Sequence, residues 1–162
     1  MVYNPPEFWC GNGATSSPRS DRLSRVISTE SASKERTLLT RAVVLALKEL
    51  MRQSEITLLT YDLAAFISMA MKEISDSVEV SVAAWEKRGY WVKADRYRME
   101  WSWSERLGSQ MGEALRAENW GGVAVTAAQV MEKLKGVELP KRNTLGTPWD
   151  GAWEEFKRTS DR

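Results

Sequence analysis

Histidine is absent from the 162 residues. Without an imidazole the chain has no Ser-His-Asp or Cys-His nucleophile, no carboxylate-histidine di-metal centre and no His-ligated zinc. An enzyme would be left with carboxylate, lysine or tyrosine chemistry. Cysteine is nearly as scarce. Cys10 alone cannot close an internal disulfide, so a reducing interior is the expected setting. No run approaches the ~20 apolar residues of a membrane span, and the first residues lack a basic segment followed by an apolar one. The expectation is a cytoplasmic protein with no membrane partner. A charge imbalance is also missing: Lys and Arg total 23 against 22 Asp and Glu, a net charge of +1. Binders of bulk nucleic acid or anionic membrane usually carry a basic excess, because phosphate affinity comes largely from counterion release.

What is present is the composition of an ordinary globular domain, 43% hydrophobic and 28% charged, in a chain long enough to bury one core without staples. Residues 1–30 stand apart, with Pro5, Pro6, Gly11, Gly13, Pro18 and a Ser/Thr-rich run that shows no helical period. Such a stretch buries too little to offset its ordering entropy, so it reads as a flexible N-terminal arm ahead of a helical domain over 31–162. Phe8 and Trp9 are out of place there. They read first as rings tucked onto the domain and second as a linear docking motif.

Periodicity predicts an all-α, antiparallel four-helix bundle, with helices at about 33–53, 60–88, 91–118 and 120–135 and a short C-terminal helix at about 148–158. Ser31 or Ser33 is the expected cap of the first helix. Its core face carries Leu39, Ala42, Val43, Ala46 and Leu50, widened by Val44, Leu47 and Met51. The second helix, capped by Thr60, sets Leu63, Phe66, Ile67, Ala70, Met71, Ile74, Val78, Val82 and Trp85 against a side with Asp62, Ser68, Lys72, Asp76 and Glu79. The third carries Ala94, Tyr97, Trp101, Ser104, Gly108, Met111, Gly112 and Leu115. At ~100° per residue its stripe falls roughly 150° out of phase with that of the second helix, so one straight helix would face two ways. A reversal at Arg88-Gly89-Tyr90, with Gly89 as a left-handed cap, puts both stripes on one core. Gly108 and Gly112 then signal close approach of another helix, opposite Trp85 or Phe66. A cap at Thr147, followed by Pro148, opens the last helix, which presents Trp149, Ala152, Trp153 and Phe156.

The functional reading centres on Trp85 to Leu107, where six basic residues and six aromatic ones are interleaved. A second apolar side of the third helix, with Val92, Met99, Trp103, Leu107 and Ala114, either faces a neighbouring helix or forms an interface; tryptophan beside arginine is the usual chemistry of interface anchors. The candidate protein interface is therefore Trp9, Met99, Trp103 and Leu107, contacting a second copy or another protein. The alternative is a contact to RNA or single-stranded DNA through Lys87, Arg88, Tyr90, Trp91, Lys93 and Arg96, cations on phosphates and rings on bases. Against it, Glu86, Asp95, Glu100 and Glu105 reduce the stretch to a net +2, and pairs such as Arg96 with Glu100 and Glu86 with Arg88 look like solvated surface. Glu100 with Tyr97 and Lys93 is the one group in which a carboxylate base could be sought, if it is buried. The expectation is a non-catalytic protein with no catalytic, cofactor-binding or metal-binding residue.

Overall fold

The computed structural model describes residues 29–160, which form five helices and no strand: α1 Thr29–Arg52, α2 Leu58–Glu86, α3 Trp91–Arg116, α4 Trp120–Lys133 and α5 Ala152–Ser160. The expected all-α bundle is what forms. The arm and its Phe8-Trp9 pair lie outside the described residues. Within them no helix is long and apolar enough to cross a membrane.

The central element is α2, packed between α1, α3 and α5, while α4 lies on α3 and barely meets α1. Leu63, Ile67, Met71 and Ile74 of α2 are fully buried with Val43 and Leu47 of α1, Met111 and Leu115 of α3, and Val130 of α4. Alternation of these stripes at three and four residues is what lets one helix serve three neighbours.

Gly89 sits at φ +80, and the N–H of Tyr90 donates to the carbonyl of Trp85 at 3.0 Å, so α2 ends and α3 folds back beside it. A left-handed residue here costs glycine nothing and a side chain about 1–2 kcal/mol. The two out-of-phase stripes thereby meet. Where they are closest, a Cβ on Gly108 would stand 2.9 Å from Met71 Cβ, and one on Gly112 would stand 2.9 Å from Ser68 Oγ and 3.4 Å from the Phe156 ring. The close approach is as expected, but its partners are Met71, Ser68 and Phe156 instead of Trp85 or Phe66. Ser68 is thus buried, not solvated, and its hydroxyl donates to the Gly108 carbonyl at 2.8 Å.

Other differences have local causes. α1 includes Ser31 and Ser33 as interior residues, its first turn carrying Glu30, which pairs with Lys34 one turn on at 2.8 Å. α2 is capped by Thr57 rather than Thr60, because Thr60 serves as the third residue of a capping box and accepts from the Thr57 N–H at 3.0 Å. Thr147 to Asp150 closes a turn of its own and Gly151 adopts φ +77, so α5 starts at Ala152, four residues late. Met51 is exposed at the last turn of α1 instead of widening the core. α4 is capped by the Asn119 side chain, which accepts from the Gly122 N–H at 3.0 Å. The terminal helix is held to α2 by a bond from the Trp153 N–H to Asp62 at 2.9 Å, and it buries Trp149 and Phe156.

Candidate contact surface

α3 has 26 residues and α4 has 14, so by ~1.5 Å per residue they are about 39 and 21 Å long. Because α4 starts from the C-terminal end of α3 and runs back along it, it covers Leu107 and stops short of the N-terminal half. That difference in length leaves an uncovered outer face near the α2–α3 turn. Tyr90 (56% exposed), Trp91 (62%), Val92 (74%) and Met99 (76%) stand there, with Val92 and Met99 seven residues apart on one line of the helix.

The inner side of the same region is an aromatic stack. The Trp85 ring meets Tyr97 edge-on at 4.9 Å, Tyr97 lies 6.3 Å from Trp101, and Trp101 stacks on Trp103 at 5.8 Å. Beneath it lies Arg36 of α1, a residue that apolar periodicity alone does not single out. Arg36 is only 7% exposed; its guanidinium lies 5.4 Å from the Tyr97 centroid and 5.7 Å from that of Trp101, and it donates to the Ser77 carbonyl at 3.1 Å and the Ser77 hydroxyl at 3.2 Å. Its spacing from Leu39, Thr40 and Val43 puts it on the buried stripe and is the one signal of its position in the sequence. Burial raises the Tyr97 phenol above its usual 10.0, opposed by the Arg36 charge and reinforced by Glu100.

Charges around the turn are not paired as sequence proximity implied. Arg98 gathers three carboxylates, Glu86 at 2.9 Å, Asp95 at 3.2 Å and Glu79 at 3.3 Å, and hydrogen bonds to Glu86 and Glu79 raise its pKa. Glu86 is therefore taken by Arg98 and not by Arg88, because the fold back at Gly89 brings α3 alongside α2. Among the described residues Lys87, Arg88, Arg96 and Glu100 make no ion pair, so the expected Arg96–Glu100 and Glu86–Arg88 pairs do not form. Lys93 places its ammonium 4.3 Å over the Trp85 ring.

Of the expected interface, Met99 is at the surface as anticipated and Trp9 is outside the described residues. Trp103 is half-buried against Trp101 and the core, and Leu107 is 1% exposed, a core residue under α4. Leu107 is thereby removed from any contact surface. The six candidates for nucleic-acid contact, Lys87, Arg88, Tyr90, Trp91, Lys93 and Arg96, are all exposed and gather at the turn. Glu100 is exposed on α3, and neither the groove of about 810 Å³ between α1 and α2 nor the depression of about 500 Å³ beside Arg106 includes Glu100, Tyr97 or Lys93. The burial that a catalytic carboxylate at position 100 required is missing. Comparison with protein-family models, curated proteins and solved structures finds no match.

Proposed function

We propose that this chain acts without catalysis, through protein–protein contact made by the outer face of α3 and the α2–α3 turn. The observation that supports the reading is the uncovered line of Val92 and Met99, continued at the turn by Tyr90 and Trp91. Apolar residues of this size gathered on one face mark contact surfaces more often than chance exposure does, and aromatic anchors dominate such contacts. Lys87, Arg88 and Arg96 rim the patch and make no ion pair among the described residues, which suits an acidic surface opposite them. A second copy of the chain presenting acidic side chains, or another protein with an acidic surface, would each satisfy that chemistry.

The experiment is sedimentation velocity on the full chain and on a Val92→Asp/Met99→Asp variant across a concentration series. Both positions are exposed on α3, and an acid in its first turn suits the helix dipole, so the variant should melt as the parent does, within about 0.5 kcal/mol. Self-association of the parent that disappears in the variant identifies the second copy as the partner. A monomeric parent leaves another protein, and loss of a copurifying partner in the variant identifies it. Association unchanged by the variant would end the proposal.

Nucleic acid is the second reading, favoured by the four cations that the fold leaves unpaired or lying on a ring at one turn. It requires binding that weakens steeply as salt rises, and reversal of charge at Arg88 or Arg96 would lessen the slope by about one for each phosphate no longer neutralised. The aliphatic pair Val92 and Met99 has no role in that reading. For this reason protein contact is preferred.

A further inference from the structure

On the side of the bundle away from α3, a groove of about 810 Å³ runs between α1, α2 and the segment that leads into α5. Leu38, Leu39, Phe66 and Met69 form its apolar floor. Among the described residues its rim carries the acids Glu35 and Glu155 against a single lysine, Lys34, whose ammonium lies 2.8 Å from Glu30. The groove opens at Ser31, in the first turn of α1, immediately after residues 1–28.

We propose that this groove is the docking site of the chain's own N-terminal segment, with Phe8 and Trp9 on the apolar floor and Arg19, Arg22 and Arg25 along the acidic rim. Three features converge on that occupant. The floor is aliphatic and aromatic, and Phe8-Trp9 is the one aromatic pair in the first 28 residues able to fill it. Between Trp9 and α1 the segment carries three arginines against one acid, Asp21, complementary to the rim. Nineteen residues lie between Trp9 and Thr29, and these twenty steps reach at most about 72 Å, whereas the groove's α1 wall from Ser31 to Ala42 is about 16 Å long, so the segment can turn back over the groove with slack. Covalent attachment gives the segment a high effective concentration at the groove without strong contacts. Trp9 is then assigned to the domain's own surface and not to the outer face of α3.

Cys10, the only cysteine, is adjacent to Trp9 and allows a test on the full chain. A nitroxide attached to Cys10 should attenuate the amide signals of Leu38, Met69 and Glu155 and spare those of Val92 and Met99. Phe8→Ala/Trp9→Ala should abolish the localised attenuation, and Glu155→Lys should weaken it while leaving α3 amide shifts in place. A spin-labelled chain mixed with an isotope-labelled Cys10→Ser chain should transfer no attenuation. Attenuation that is absent, spread evenly over the domain or centred on α3 overturns the proposal. Transfer between chains overturns it in favour of a second copy's segment.

Discussion

Gly108→Ala tests the packing that sets α3 in place. The added methyl would stand 2.9 Å from Met71 Cβ and 3.2 Å from the Ser68 carbonyl oxygen, atoms fixed to the α2 backbone that cannot swing aside. α3 must therefore move outward, at an overpacking cost of about 1–3 kcal/mol. Moving it lengthens the 2.8 Å bond from Ser68 Oγ to the Gly108 carbonyl, a loss of about 1 kcal/mol. Against these stands the higher helix propensity of alanine, about 1 kcal/mol in the other direction. The net expectation is a loss of about 1–3 kcal/mol, or roughly 2–12 °C in melting temperature at ~2–4 °C per kcal/mol. Gly136→Ala is the control, since among the described residues nothing lies within 4 Å of the added carbon and its φ is not positive, so its stability should be unchanged or slightly higher. Urea unfolding followed by far-UV circular dichroism reads both. If Gly108→Ala is as stable as the parent, α2 and α3 do not approach each other as closely as the Gly108–Met71 packing requires.

Two further outcomes follow from the aromatic stack. Arg36→Ala removes two hydrogen bonds to Ser77 and the cation facing Tyr97 and Trp101, and should cost about 2–4 kcal/mol by chemical denaturation, with Arg36→Lys recovering only part because an ammonium cannot hold the same fork and stack. The Tyr97 phenol is raised chiefly by burial, so the folded state holds its proton longer than the unfolded state does, and stability should fall as pH climbs above 10.0. Tyr97→Phe should reduce that decline in a pH series of denaturant midpoints. Part of the decline should persist, because the Tyr61 phenol is also raised, first by its 2.8 Å bond to Glu118.

Helix number, order and the reversal at Gly89 were legible because they depend on periodicity and one backbone conformation, both local properties. Contacts between helices were not. Leu107 lies near the edge of the α3 stripe, and only the crossing of α4 decides that it is buried. Ser68 read as solvated because a serine inside a helix carries no sign of burial, yet it fills the space opposite two glycines. Arg36 was on a recognisable apolar stripe, but apolar counting discards an arginine. The surface suffered in the same way: the pairing of Arg98 with Glu79 and Glu86 needs α2 and α3 side by side, and it is this pairing that takes from Arg88 the Glu86 partner its sequence neighbourhood suggested.

The most direct measurement of the contact proposal is site-specific photocross-linking from position 99 in the cells that express the chain, with the exposed Lys48 of α1 as control. The account predicts discrete protein adducts from position 99, insensitive to nuclease and absent from position 48. Adducts that nuclease removes, adducts equal at both positions, or none from position 99 would contradict it.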